Sequence, residues 1–308
     1  MDSRKLLRTI AATLIALFVV VLTTAAQGPD PSKVEISAVK ITDSFHALEG
    51  AGGRMGVLTG PDGIFIVDSS FAPVTEKVVA AIRKISNAPL RFLVNTHVHG
   101  DHSGGNENFA KLGVTLLSRP MLRARLIKPS PPPGGGPTPA PAPAAALPTI
   151  TYDARTIVHL NGEAIEIVPL VAAHTDGDTG VRFPRADVVM TGDVYRSAGY
   201  PAVDLAAGGT IKGMIESLNT LIELSGPATK VLPGHGPIVD RAALVAHRDM
   251  AVVVRDRVAK MVQSGQSEAQ VVGSKPTKDF DDKYGNAIPN GDRFVGALYT
   301  ELKAAGPQ

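Results

Sequence analysis

Residues 95–105 concentrate side chains that bind metal ions. The stretch contains three of the eight histidines of the chain and one carboxylate, as His97, His99, Asp101 and His102. Imidazole nitrogen and carboxylate oxygen are the ligands that Zn²⁺ and similar ions take when no thiolate is present. A lone histidine would more simply belong to a solvated polar loop, but four such groups within six residues favour a metal site.

The surrounding sequence predicts where this stretch lies in the fold. The apolar residues 92–94 precede it and predict a short buried strand, and residues 106–112 suit a helix. The histidines should therefore lie on the loop at the carboxyl end of a strand, where open α/β sheets place their sites. Side chains two residues apart in extended backbone share one face, so His97 and His99 can close on one ion.

Three more potential ligands stand at the ends of apolar segments later in the chain. They are His174 in Ala-Ala-His-Thr-Asp-Gly, Asp193 in Met-Thr-Gly-Asp and His235 in Leu-Pro-Gly-His-Gly-Pro. One group of four ligands is short of a two-metal site, so these residues are the expected distant partners.

The potential ligands follow one another as His-x-His-x-Asp-His and then a later His, Asp and His. By this order the chain resembles the metallo-β-lactamase superfamily of hydrolases over roughly residues 34–256. The resemblance implies an α/β fold, a four-layer αβ/βα sandwich with its metals at one sheet edge. It also implies two divalent ions, Zn²⁺ in the first place and iron or manganese as alternatives. The implied ligands are His97, His99 and His174 for one ion, Asp101, His102 and His235 for the other, and Asp193 as a bridge.

The resemblance implies hydrolysis by a hydroxide that bridges the two ions, with Asp101 orienting it. Asp193 stands where well-known secreted β-lactamases carry Cys or Ser, which is more similar to glyoxalase II-type thioesterases and acyl homoserine lactonases. Arg196 matches the position of a cation that anchors the substrate carboxylate in Cys-type β-lactamases. Tyr195 is close to the sequence position at which lactonases place a phenol that assists the oxyanion. Ordinary contacts at the rim are the alternative for both residues. We expect cleavage of an ester, thioester, lactone or amide bond of a small molecule, or alternatively class B-like β-lactamase activity.

Two other classes of this fold are iron proteins that handle oxygen and binding modules that have lost their metals. A complete ligand set argues against the second, whereas the same ligands also bind iron. Residues 1–26 contain three of the 31 basic and one of the 29 acidic residues, so the rest of the chain carries equal numbers of positive and negative side chains. Without an excess of positive charge, no nucleic-acid partner is expected. The oligomeric state is not indicated.

The first 26 residues predict a secretory signal peptide. Arg4, Lys5 and Arg8 precede the mainly apolar residues 9–22, and small residues follow at 24–26. We therefore expect a periplasmic or secreted protein without stable membrane association, with an uncleaved anchor as the alternative. The absence of cysteine excludes disulfides and thiolate ligands.

The remaining chain is predicted to form one catalytic domain over residues 27–264 and a C-terminal helical extension of it over residues 265–308. Nine of the twenty residues in 129–148 are Pro, which predicts a mobile or polyproline-like loop, either a lid or a solvated insertion. Asn161-Gly162 predicts a hairpin. Other predicted elements are a half-buried strand over 34–42 and helices over 74–85, 211–224, 241–262 and 292–304. The resemblance implies that Asp68 supports the metal loop, with an ordinary polar strand end as the alternative. Packed or surface histidines are predicted at 46, 159 and 247.

Overall fold

Two β-sheets form the centre of the fold. The computed structural model describes residues 30–132 and 136–306. The first sheet has the order β1 (Ser37–Lys40), β2 (Phe45–Glu49), β3 (Met55–Leu58), β4 (Ile64–Val67), β5 (Leu90–Val94), β6 (Thr115–Ser118) and β7 (Ile150–Thr151). The second has the order β12 (Lys230–Leu232), β11 (Val188–Met190), β10 (Thr179–Phe183), β9 (Glu163–Pro169) and β8 (Thr156–Leu160).

The helices lie between and after these strands. They are α1 (Thr75–Ile85), α2 (Gly100–Ser103), α3 (Asn106–Lys111), α4 (Pro120–Ile127), α5 (Ile211–Leu224), α6 (Arg241–Gln263), α7 (Glu268–Gly273), α8 (Asp281–Tyr284) and α9 (Gly291–Ala305). None of the helices within the described ranges is long and apolar enough to span a membrane. The predicted signal peptide lies outside those ranges.

The two sheets pack face to face through apolar side chains that alternate along their strands. Phe45 and Phe65 of the first sheet meet Phe183 of the second, and the Phe45 and Phe183 ring centroids are 4.7 Å apart. Helix α1 covers the outer face of the first sheet, and α5 covers the outer face of the second. This arrangement confirms the predicted four-layer α/β sandwich.

Parallel strand pairs bring several loops to one edge of the sandwich. Strands β4 and β5 are parallel, and so are β11 and β12. The carboxyl ends of parallel neighbours lie at the same edge, so the loop after each strand of a pair lies beside the loop after its partner. Asp68, the segment 97–102, Asp193 and His235 all follow these strands directly.

Most of the predicted elements agree with the structure. The helix predicted over 211–224 is α5, and the predicted hairpin joins β8 to β9. Asn161 has a φ of 55° and Gly162 a φ of 71°, as a two-residue type I′ turn requires. The prediction of a half-buried first strand was wrong: β1 covers residues 37–40, and all four are exposed because this edge strand pairs only with β2.

The second half of the proline-rich segment contacts the rest of the domain. Residues 137–141 are exposed, but 144–146 form a turn of 3₁₀ helix and Ala146 is buried. The Ala142 amide donates to the Leu126 carbonyl at 2.8 Å, and Asn106 donates to the Ala146 carbonyl at 3.3 Å. The second half of the segment therefore packs against the domain, and the mobile or polyproline-like character of the loop stays a prediction.

The last helices pack against the preceding helices rather than standing apart. Phe294, Val295 and Leu298 of α9 share an apolar cluster with Met250 and Val254 of α6. Glu301 accepts hydrogen bonds from the Ile211 and Lys212 amides at the start of α5. The domain limits placed at residues 264 and 265 remain a prediction.

Candidate metal centre

All seven predicted metal ligands meet at the edge where the strand ends converge. They belong to three overlapping groups, and within each group the ligand atoms lie within 4.8 Å of one another. The groups are His97, His99 and His174; His97, His102 and Asp193; and Asp101, His102 and His235. Four separate chain segments thus supply one compact cluster of nitrogen and oxygen ligands.

His99 and His174 turn one ring nitrogen each toward the other. The Nε2 atom of His99 lies 2.9 Å from Asp204 Oδ2, and the Nδ1 atom of His174 lies 2.7 Å from the Ala202 carbonyl. Both acceptors keep the imidazole proton on that outer nitrogen. The two inner nitrogens, His99 Nδ1 and His174 Nε2, are only 2.9 Å apart, so their facing lone pairs call for a cation.

Other buried ligand atoms also lack a protein partner. His97 Nε2 and Asp193 Oδ1 are buried without a hydrogen-bond partner among the described residues. Such atoms are costly unless something outside the chain satisfies them. Asp68 Oδ2 lies 2.7 Å from His102 Nδ1 and thereby leaves His102 Nε2 free to face the cluster, which confirms the predicted supporting contact. The donor set therefore fits divalent metal ions.

Asp193 lies between the nitrogen ligands of both sides. Its Oδ1 is 3.4 Å from His102 Nε2, and its Oδ2 is 3.3 Å from His235 Nε2 and 3.7 Å from His174 Nε2. A Cβ atom at Gly234 would overlap Asp193 Oδ1, so only glycine lets the His235 loop approach so closely. Asp193 thus lies beside ligands of all three groups.

The cluster keeps its carboxylates ionised. Burial alone would raise the pKa of Asp101, but His102 and His235 lower it to about 2. Burial likewise opposes ionisation of Asp193, yet His102 and His235 hold its pKa well below the ordinary value. Burial, together with the neighbouring His102 and His174, holds the pKa of His97 well below its ordinary value. Despite burial, Asp101 and Asp193 raise the pKa values of His102 and His235. Metal ions bind anionic oxygen and neutral nitrogen, so metal binding would release protons from these two histidines.

An open cleft of about 640 Å³ leads to the cluster. His99, Asp101, His174, Asp193 and His235 line its base. Arg196 also lines the cleft, and its Nη1 atom donates to Asp193 Oδ2 at 3.0 Å. The structure therefore brings Arg196 to the cluster, as expected from its position three residues after Asp193.

Tyr195 does not join the site. Its side chain is only 3% exposed and packs in the apolar cluster under α5 and α6, with its ring against His247. It is not among the residues that line the cleft. The predicted oxyanion role of Tyr195 is wrong because successive side chains in this extended segment point to opposite sides, and Arg196 takes the cleft side.

His247 is a buried neutral histidine of the core. It is 0% exposed, lies between the rings of Tyr195 and Tyr284, and has no hydrogen-bond partner for either nitrogen within the described part of the chain. Burial lowers its pKa from 6.5 to about 3. The packed role predicted for this histidine is confirmed.

We expect His247→Phe to reduce the acid sensitivity of the fold. The lowered pKa means that the unfolded state binds a proton below pH 6.5 while the folded state does not. The free energy of unfolding should then fall by about 1.4 kcal/mol per pH unit, or about 2 kcal/mol between pH 6.5 and 5. The Tm advantage of the variant should grow between pH 8 and pH 5, measured by thermal melts. His159→Gln, at an exposed histidine of β8, is the control, and an advantage that is equal at both pH values would contradict the expectation.

Three supporting residues were missed from the sequence. Asp204 orients His99, as described above. Asp178 accepts hydrogen bonds from the His174 amide at 2.7 Å and from Thr175 Oγ1 at 2.6 Å, which fixes the turn that carries His174. Arg54 donates to the carbonyls of Pro233 and Gly236 and so clamps the His235 loop. All three act across long sequence separations or in a turn, where no pattern in the chain identifies them.

We expect Asp204→Asn to weaken metal binding while the fold is retained. The amide has no negative charge to hold the His99 proton on Nε2, and loss of such a supporting carboxylate typically costs 10–100-fold in metal affinity. Competition with a chromophoric chelator would measure this. Asp153→Asn, at an exposed carboxylate paired with Arg119, is the control. Unchanged affinity would show that Asp204 does not set the orientation of His99.

Comparisons with known proteins agree with the fold. Residues 50–235 match the family model of the Metallo-beta-lactamase superfamily. A type 2 metallo-beta-lactamase from Bacillus cereus is 23% identical over 195 residues, which are 63% of this chain and 71% of that protein.

Two solved structures illustrate the likeness in fold. The metallo-beta-lactamase from Pontibacter korlensis has a TM-score of 0.60 at 18% identity and covers 71% of this chain and 99% of its own. A stereoselective inverting sec-alkylsulfatase from Pseudomonas sp. has a TM-score of 0.69 at 15% identity and covers 86% of this chain and 50% of its own. The family model spans more than half of the sequence, so the chain belongs to the metallo-β-lactamase superfamily of hydrolytic enzymes.

Proposed function

We propose that the chain is an exported hydrolase that uses two divalent metal ions, zinc in the first place, to cleave an ester, thioester, lactone or amide bond of a small molecule. The observation that carries the proposal is the carboxylate of Asp193 between two sets of ligands at the base of an open cleft. His97, His99 and His174 would hold one ion, Asp101, His102 and His235 the other, and Asp193 both.

The residues of the chain would divide the remaining work. Two such ions, when bound, lower the pKa of a water molecule to about 7 and polarise a carbonyl oxygen. Asp101 stays ionised at neutral pH because its pKa is about 2, so it accepts a hydrogen bond and orients the attacking water. Arg196, which also lines the cleft, would hold Asp193 in place through the hydrogen bond that its Nη1 atom donates.

A panel of substrates tests the proposal. The zinc-loaded protein should hydrolyse at least one of a lactone, a thioester and a cephalosporin, and should act much more slowly on a phosphodiester. Asp101→Asn is the matched control for activity from contaminants. No turnover of any carbonyl substrate by protein that holds two ions would overturn it, and oxygen consumption by an iron-loaded form would favour the iron alternative.

A class B-like β-lactamase is the second candidate. The position of Arg196 beside Asp193 and the likeness to the Bacillus cereus protein favour it. Cephalosporin turnover well above that of the lactone and the thioester would select it.

Export is part of the proposal and rests on the signal-peptide pattern of residues 1–26. N-terminal sequencing of the protein from its host should find a start at Gln27, in a fraction without stable membrane association. An intact Met1 in the membrane fraction would favour an uncleaved anchor. A small molecule is the proposed partner, and nucleic acid is not.

A further inference from the structure

The C-terminal extension forms one wall of the cleft that leads to the metal centre. Ile288, Pro289, Arg293 and Ala297 line this wall, and residues 201–206 line the wall beside it. The extension lies outside the segment 50–235 that matches the family model. Its contribution to the cleft is therefore a feature of this chain rather than of the matched family segment.

Tyr200 joins the two walls firmly. The Tyr200 amide donates to the Pro289 carbonyl at 3.0 Å, and the buried Tyr200 hydroxyl donates to Asp281 Oδ1 at 2.7 Å. Its ring stacks on Phe294, with centroids 5.7 Å apart and an interplanar angle of 17°. Phe294 directly follows Arg293 in α9, so the backbone that carries Arg293 is held in place against the cleft.

Both walls present apolar side chains to solvent. Ile288 is 70% exposed and is the most exposed large apolar side chain among the described residues, and Leu205 in the neighbouring wall is 42% exposed. Val203 and Ala297 also line the cleft. Such surface gains free energy when an apolar group covers it.

Arg293 differs from the other charged residues that line the cleft because it has no oppositely charged partner among the described residues. The carboxylates of Asp101, Asp193 and Asp204 all contact cluster histidines, and Arg196 is bound to Asp193. Arg293 is exposed and has no acidic partner within 4.0 Å in the part of the chain that the structure describes; the neighbouring Asp292 pairs with Lys275 instead.

We propose that the substrate is a small amphiphilic anion, whose apolar chain lies between Leu205 and Ile288 and whose anionic group binds Arg293, while the scissile carbonyl lies at the metal cluster. This inference rests on the proposed function and names its substrate class. Arg293 would be a specificity-determining residue that touches the substrate away from the reacting atoms.

A pair of substrates tests the role of the charge. One is a thioester whose acyl chain ends in a carboxylate, and the other is the same thioester with a neutral hydroxymethyl group in place of that carboxylate. The wild-type protein should favour the anion in kcat/KM by about tenfold, as one charge-assisted hydrogen bond predicts. Arg293→Ala should abolish the preference, and Arg293→Lys should keep most of it.

The control removes a charge from the same helix. Lys303→Ala lies ten residues further along α9, about 15 Å away, which exceeds the screening length of about 10 Å at 0.1 M salt. It should keep the full preference, and a loss equal to that of Arg293→Ala would overturn the inference. A wild-type protein without preference for the anion would also overturn it.

Binding separates this inference from the proposed function. Isothermal titration with a non-hydrolysable thioether analogue, in its carboxylate and hydroxymethyl forms, reports the preference without turnover. Hydrolysis without any preference would overturn the inference and leave the proposed function standing. The protein could instead hydrolyse no carbonyl substrate and still bind the anion preferentially, with Arg293→Ala removing that preference. This result would overturn the proposed function and leave the anionic site at Arg293 standing.

The apolar part has its own readout. Each methylene added to the acyl chain should raise kcat/KM or the affinity of the analogue about threefold in the wild type until the chain fills the cleft. Ile288→Ser should reduce this gain, and Ile127→Ser, at an exposed residue outside this cleft, should not. A flat response to chain length would show that the apolar walls do not bind the substrate.

Discussion

Replacing Asp101 by Asn is expected to lower kcat by at least about 10²-fold, the smallest contribution usual for a catalytic acid, base or orienting group. The carboxylate lies 3.1 Å from His235 Nε2 and stays ionised because its pKa is about 2. Asn keeps the size and one acceptor oxygen but loses the charge that orients water and binds the second ion. The variant should fold normally and keep the ion held by His97, His99 and His174.

Circular dichroism, metal analysis and kinetics on one preparation decide this prediction. Asp256→Asn, at an exposed carboxylate of α6, is the matched control and should behave as the wild type. Full activity of Asp101→Asn with its metal still bound would show that Asp101 has only a structural role in the loop.

Asp193→Ala is expected to reduce metal content to less than one ion per chain and to bring activity to the detection limit. The two oxygens of Asp193 approach His102, His174 and His235 from the two sides of the cluster, so the substitution removes a ligand from both ions at once. Arg196 also loses the acceptor that neutralises it, which leaves a positive charge facing the remaining histidines. Asp101→Asn should lose less metal than Asp193→Ala, because Asp101 approaches only His102 and His235, whereas Asp193 also approaches His174 on the other side of the cluster.

Metal analysis of both variants after the same purification provides the comparison. Arg196→Gln separates the two effects of Asp193→Ala, since it removes the nearby cation while the bridging carboxylate remains. Two ions retained by Asp193→Ala would show that the carboxylate is not shared between the sites.

The sequence predicted the ligands well because their signals are local. His97, His99, Asp101 and His102 are contiguous, and His174, Asp193 and His235 each follow an apolar segment that ends at a turn. Helix α5 could be predicted to the residue because its apolar positions recur at helical spacing and Thr210 caps its first turn.

Contacts between distant segments could not be predicted in the same way. Asp204 is 105 residues from His99, and Arg54 reaches the His235 loop across some 180 residues. The direction of Tyr195 depends on which of two adjacent side chains faces the core, and that depends on the packing of α6 against it. The exposed β1 and the partly packed proline segment likewise reflect what lies beside them rather than their own composition.

Titration of metal-free protein with zinc tests the central claim most directly. The overlapping ligand sets around Asp193 predict saturation at two ions per chain, with both sites lost together in Asp193→Ala. Saturation at one ion, or no binding by the folded protein, would contradict a dinuclear centre.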